Sequence, residues 1–334
     1  MRSVGFRCFA GGIFVLLSAG AGLESRADEP GWTVQPPHAV VHGKPLGEWA
    51  NLWWQWAASF VTGTSPVEDP TGERCHLGQP KDVWFLAGNY GGAMVRDRCT
   101  VPSGKSLFFP IVNSWSANLP DEPEPAPCDL VCEGAKGWCS PASVIGCTID
   151  EVPVPELEEH VEESPTCFVM YFPQENPNQY PGGCYQTACT HGYYVMLDPL
   201  APGPHVIHFW VSCGDPANPD WGLDVTYLLT VGEPPEIHPV FRRGDTDGNG
   251  MVELTDAVKT LGLLFLGEDP PGCLDAADAD DNGELEITDP IRTLGFLFLG
   301  YCMPPWPGPE DGPSECAADS TEDSLTDCSD QPSC

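Results

Sequence analysis

Between residues 43 and 60 the large apolar side chains fall on a helical stripe. In GKPLGEWANLWWQWAASF, Leu46, Trp49, Trp53, Trp56 and Phe60 recur at spacings of three and four, which places them on one face of a helix. Pro45 suits the first turn, where a missing N–H costs nothing. TGTSP ends the run, and Trp54 lies off the stripe. Downstream the period changes. VWFLAG, KSLFFPIVNSW, CFVMYFP, GYYVMLDPL, HVIHFWVSC and DVTYLLTVG are short, rich in β-branched and aromatic residues, and separated by turns such as APGPH. Val225, Tyr227, Leu229 and Val231 alternate, as on a strand with one buried face. HVIHFWVSC is apolar on both faces, as a central strand is. These signals predict a mainly β fold: a disulfide-containing β-sandwich, jelly-roll-like, over residues 28–233, with one N-terminal helix packed on it.

Other stretches lack a period. Residues 120–140 are rich in Pro, Cys and acids and predict a disulfide-pinned insertion. EVPVPELEEHVEESP is acidic and predicts a solvated excursion. GEPPEIHPVFRR is proline-rich and unpatterned, marking a linker over 234–243. From Met303 to the end the chain is rich in Pro, Ser and acids, so only its cysteines are expected to order it.

At the N-terminus, Arg2 and Arg7 precede the apolar stretch CFAGGIFVLLSAGAGL, too short for a comfortable membrane span. Residues 1–27 therefore read as an export signal, with cleavage after Ala21 or Ala27, and the mature chain has no membrane span. The 334 residues carry a net charge of −35 without a basic patch, which argues against nucleic acid. Of the 16 cysteines, 15 follow the signal, which fits an oxidising, extracytoplasmic or cell-surface location. An odd total implies one free thiol or one intermolecular bridge. The rival reading is zinc held by Cys128, Cys132, Cys139 and Cys147, although these lack the close C-x2-C pairs of zinc sites.

The strongest signal is a repeat of period 33. GDTDGNGMVELTDAVKTLGLLFLG at 244–267 and ADADDNGELEITDPIRTLGFLFLG at 277–300 agree at 14 of 24 positions. Each begins with an oxygen-rich loop. Calcium takes roughly six to eight oxygens, supplied in an EF-hand from places 1, 3, 5, 7, 9 and 12. In the first loop these are Asp245, Asp247, Asn249, the Met251 carbonyl, Glu253 through water, and Asp256. In the second they are Asp278, Asp280, Asn282, the Glu284 carbonyl, Glu286 and Asp289. Two calcium ions are implied; magnesium tolerates this many protein oxygens poorly. Gly250 and Gly283 sit at the sharp turn. Val252 and Leu285 occupy place 8, where paired loops usually join by a β bridge. Place 12 is Asp, not the longer Glu of sensor EF-hands, which predicts rigid structural sites. Each loop leads into one helix, with Thr255 and Thr288 suited to the N-caps and Gly267 and Gly300 to the ends. No helical pattern precedes the first loop, so these are loop–helix halves.

Two loop–helix repeats with Asp at place 12, C-terminal to a secreted module, resemble a dockerin domain over 244–302. FRRGDTDGNG…LTDAVKTLGLLFLG and CLDAADADDNG…ITDPIRTLGFLFLG resemble in particular the dockerin-like units of many secreted bacterial proteins, which often end in a cysteine-bracketed tail such as CAADSTEDSLTDC. The resemblance implies calcium-dependent docking to a cohesin-like or other surface protein, in the company of polysaccharide-degrading enzymes. Places 10 and 11, often used in recognition, are Leu254–Thr255 and Ile287–Thr288 rather than the Ser–Thr of cellulosomal members. LLFL and FLFL either form a docking face or fill the small core. Much of 43–232 resembles a set of secreted bacterial proteins without established function.

Residues 28–240 contain no G-x-S-x-G, H-E-x-x-H or P-loop. His205 and His208 lie at odd separation on one strand and face opposite sides; His208 reads as a core histidine. Glycoside cleavage needs two facing carboxylates, and Glu48, Asp69, Asp82, Asp97 and Asp224 cannot be paired by sequence. Glu48, beside the tryptophans, is the first to inspect, and Trp54 could stack on a sugar. The reading is a secreted calcium-binding modular protein that docks through its C-terminal repeats. The alternative is a polysaccharide-degrading hydrolase or a non-catalytic glycan-binding module at the N-terminus.

Overall fold

The computed structural model describes residues 31–120, 122, 124–136, 139, 144–215, 218–233, 239–302, 305–308, 316–321, 323, 325, 328 and 334. The export-signal reading lies outside them. In chain order the elements are β1 (Val40–Val41), β2 (Lys44–Pro45), α1 (Leu46–Ala58), β3 (Val83–Phe85), β4 (Gly92–Arg96), β5 (Thr100–Pro102), β6 (Ser106–Ala117) and α2 (Cys128–Ala135). They continue with β7 (Val144–Ile149), β8 (Val152–Pro153), β9 (Val161–Glu163), β10 (Phe168–Phe172), β11 (Gly183–Leu197), β12 (Gly203–Asp215), β13 (Asn218–Gly232), α3 (Leu254–Leu266) and α4 (Thr288–Leu299).

The strands make two large sheets. One runs β10-β11-β6-β3, with β9 also on β11; the other runs β4-β13-β12-β7-β8, with β5 also on β13. Their inner faces share one apolar core, in which Phe109 of β6 stacks on Phe209 of β12 at 5.3 Å. The alternating Val225, Tyr227, Leu229 and Val231 all point into it. β12 is central, as its composition requires. Three pairings are parallel: β3 with β6, and β4 and β5 with β13. A purely antiparallel jelly roll has none.

The helix α1 covers the outer face of the first sheet. Leu46, Trp49, Trp53, Trp56 and Phe60 are all buried there, against Val83, Phe85, Phe108, Tyr194 and Met196. The indole N–H groups of Trp49, Trp53 and Trp56 each donate to a backbone carbonyl, at 2.9, 3.1 and 2.9 Å, so the stripe carries its polar atoms inward without loss.

Three expectations change. The acidic stretch after β8 is not a solvated excursion: Val154, Leu157, His160 and Glu162 are buried and β9 joins the sheet. The Glu162 carboxylate accepts the His38 backbone N–H at 2.6 Å, which compensates its burial. The insertion contains a helix, α2, fixed to the sheet by Cys128–Cys167 and Cys132–Cys189. The C-terminal segment is ordered by more than cysteine. Trp306 and Ala317 enter the same cluster as Trp56 and Phe60, and the Trp306 N–H donates to the Gly78 carbonyl at 2.8 Å. Residues 316–319 run between Phe241 on one side and residues 78–81 on the other, through backbone bonds such as Gly78 N–H to Asp319 O.

Further disulfides join Cys75–Cys99, Cys139–Cys213, Cys184–Cys302, Cys273–Cys328 and Cys316–Cys334. The proposed zinc set is therefore not assembled, since Cys128, Cys132 and Cys139 pair elsewhere. Cys147 is the free cysteine among the described residues, and burial pushes its thiol far up, leaving it unreactive. This density of cross-links fits an oxidising compartment. No helix among the described residues is long and apolar enough to cross a membrane.

Candidate metal centre

Both repeats fold into a tight loop followed by a helix. In the first loop, Asp245 is fully buried and accepts the backbone N–H groups of Asn249 and Gly250 at 3.0 and 2.9 Å. Asp256 is equally buried and reaches back to the N–H groups of Asp247 and Glu253, at 3.0 and 2.7 Å. Asn249 accepts from Met251 N–H at 2.9 Å. The second loop repeats the pattern. Asp278 accepts from Asn282 and Gly283 at 3.3 and 2.8 Å, Asp289 from Ala279 and Glu286 at 3.0 and 2.8 Å, and Asn282 from Glu284 at 2.9 Å. Gly250 and Gly283 have φ of 93° and 81°, in the left-handed region that glycine adopts freely.

Carboxylate oxygens of Asp245, Asp247 and Asp256 lie within 4.8 Å of one another. In the second loop one Asp280 oxygen is buried with no hydrogen-bond partner. Such oxygen-only donor sets suit a hard divalent cation. Burial raises the Asp256 carboxyl to about 6 against the backbone N–H groups that favour its charged form, and neighbouring Asp247 and Asp245 raise it further. Burial raises Asp289 likewise, with Asp278 and Asp280 adding to it. A bound divalent ion would favour the ionised forms. Glu253 and Glu286 sit at the rim, each accepting a threonine hydroxyl, from Thr255 and Thr288, at 2.9 Å.

The helices begin differently from the threonine-cap expectation. Thr255 lies inside the first turn of α3, whose N-cap is Glu253, and Thr288 is the first residue of α4, after Ile287. The place-12 carboxylates, reaching back to the N–H groups of Glu253 and Glu286, take over the capping. Val252 and Leu285 form no β bridge. Gly267 and Gly300, both at φ 71°, end the helices as expected.

The helices bury Asp256, Ala257, Thr260 and Gly262 in α3 and the matching Asp289, Pro290, Thr293 and Gly295 in α4. Four large apolar residues of each helix are turned outward, while Leu261, Leu263, Leu264, Leu294, Phe296 and Leu297 are half-buried. Leu254, Val258, Phe265 and Leu266 are exposed, and so are Ile287, Ile291, Phe298 and Leu299, each 33 residues later.

An unforeseen group holds the loops together. Arg243 is completely buried, paired with Asp281 at 2.9 Å and with Asp319, and it donates to the carbonyls of Asp275 and Asp278 at 3.2 and 2.9 Å. Asp281 stands at place 4 of the second loop, at φ 61°, where the first loop has Gly248 at φ 73°. The sequence hint was small: Arg243 is one of 4 basic residues among 21 acids in 241–334.

No protein-family model, curated protein or solved structure matches this chain.

The β domain contains a separate cavity of about 250 Å³, lined by residues of α1, β6, β13 and the segment before β4. Trp54, Tyr90 and Trp221 supply aromatic walls, and Asn89, Asn113 and Asn178 supply amides. No lining residue is charged, so Glu48, Asp69, Asp82, Asp97 and Asp224 all lie outside it. Asp69 is structural: burial opposes its ionisation, but the N–H groups of Arg74 and Thr71 outweigh this and lower its carboxyl. His208 is half-exposed on the outer face of β12, paired with Asp224 at 2.9 Å and packed on Trp210, and is not a core histidine. His205 pairs with Asp150 at 2.7 Å.

Proposed function

We propose that this is a secreted, disulfide-pinned β protein whose C-terminal repeats bind two calcium ions and dock, in calcium-dependent fashion, to a cohesin-like protein on a surface or assembly. The observation that supports it is the pair of exposed apolar sets at one period. Eight large side chains that a module this small would be expected to bury are instead offered to solvent at equivalent positions on α3 and α4. The calcium loops fix the starts of these helices and hence the spacing of the two sets. LLFL and FLFL then serve recognition as well as packing. The acidic surroundings favour a partner with a basic rim.

The test immobilises the full oxidised chain and measures capture of envelope and secreted proteins in calcium and in chelator. Calcium-dependent capture is expected to fall at least about tenfold when Phe265 and Phe298 are both changed to Asp, as for central apolar anchors. Capture indifferent to calcium and to both changes would remove the reading.

The cavity supports a second reading, a non-catalytic glycan-binding β domain. Aromatic walls with amides and no charge suit a neutral sugar ring, whereas a hydrolase needs two carboxylates that this cavity lacks. Titration of tryptophan fluorescence with neutral oligosaccharides is expected to saturate, and Tyr90→Ala to weaken it. A flat response across cello-, xylo- and manno-oligosaccharides would dismiss this reading.

A further inference from the structure

We infer a third cation site, formed by Asp275, Asp319 and Asp323, where the second loop meets the C-terminal segment. The inference rests on the calcium reading above for its choice of ion. Asp275 precedes the second loop and Asp319 and Asp323 share the C-terminal segment, and an oxygen of each lies within 4.8 Å of the others. Proximity alone would not make a site, because acids often cluster. What distinguishes this cluster is Asp275.

Asp275 is only 7 % exposed, and its Oδ1 has no hydrogen-bond partner. Its Oδ2 lies 3.5 Å from Cys328 Sγ, but that sulfur is in a disulfide with Cys273 and has no proton to give. A buried carboxylate with no donor on either oxygen is costly unless a cation faces it. Asp323 is in a similar position: Oδ1 accepts the Leu325 N–H at 2.7 Å, while Oδ2 is buried and unpartnered.

The charges are also out of balance. Besides Asp278, the carboxylates of Asp275, Asp281, Asp319 and Asp323 gather here, four negative charges against the one positive charge of Arg243, and Asp323 also lies within 4.8 Å of Asp278 and Asp281, so the third site adjoins the second loop. Arg243 engages Asp281 and Asp319 directly but reaches only the backbone carbonyl of Asp275. One divalent ion would reduce the excess from three charges to one. Oxygen-only donors from loops favour calcium over magnesium, which demands stricter geometry. The surroundings hold the donors in place. The Cys273–Cys328 bridge ties the stretch just before Asp275 to the stretch after Asp323, and Asp323 sits against Gly283, where a Cβ would meet Asp323 Cβ at 3.2 Å.

The test is native mass spectrometry of the oxidised full-length mature chain at about millimolar free calcium, the extracellular range of weak calcium modules. Wild type is expected to carry three ions, Asp323→Asn two, and Asp245→Asn two by loss of a different ion. Asp275→Asn gives a second route to the same site, and circular dichroism checks that each variant folds. Two ions on wild type overturn the third site and leave the docking reading standing; a proton on Asp275 would then be what relieves the charge. No ions overturn both. Three ions that persist in Asp323→Asn and Asp275→Asn place the extra ion elsewhere and overturn the assignment.

Discussion

Arg243→Met is expected to lower the stability of the oxidised chain by about 3–5 kcal/mol in urea titrations, the usual cost of removing one partner from a buried ionic cluster. Methionine keeps much of the volume, so the loss is electrostatic. Asp281 and Asp319 would lose their paired cation, and the carbonyls of Asp275 and Asp278 their donors. The cost should be larger in chelator, where no metal shares the neutralisation. Arg243→Lys should recover only part, since one ammonium cannot span what a planar guanidinium spans. A methionine variant within about 0.5 kcal/mol of wild type, the range of ordinary surface changes, would show that the guanidinium is not what holds the loops.

Removing calcium is expected to be at least as severe. A ligand at about 100 times its Kd stabilises the folded state by roughly 2.7 kcal/mol per site, so two occupied loops account for roughly twice that. The helices they start are 13 and 12 residues long, a length that is marginal in water without tertiary support. Their fully buried positions are small or polar and their leucines at most half-buried, so core burial supplies limited compensation. Chelation should therefore lower both the melting temperature and the far-ultraviolet helix signal. Asp245→Ala and Asp278→Ala should each abolish a substantial part of the calcium-dependent shift. Melting curves that superimpose in calcium and in chelator would contradict the metal reading.

The sequence made α1 and most strands readable because each is fixed by near neighbours. Five apolar residues at helical spacing had one available arrangement, and the alternation of Val225 to Val231 had another. The loops were readable for the same reason, since each closes within a dozen residues. What escaped depends on distant partners. Glu162 reads as a solvated charge until His38 is seen beside it. The partners of Arg243 lie tens of residues away, at Asp281 and Asp319. Leu266 and Leu299 look like core, because apolarity does not say which way a helix face turns. The cavity was half visible: Trp54 stood off the stripe, but Tyr90, Asn113 and Trp221 meet it only through the pairing of strands remote in sequence.

The Cys184–Cys302 bridge changes what the 234–243 segment can be. A covalent bond joins β11 to Cys302, three residues beyond α4, and Trp306 is anchored beneath α1. The repeats are thus mounted on a bracket rather than carried on a leash. Tension applied at α3 and α4 would travel through sulfur into the sheet, bypassing the proline-rich strip. A protease that cut that strip would free nothing: the two portions would travel as one object until a reductant reached the bridge.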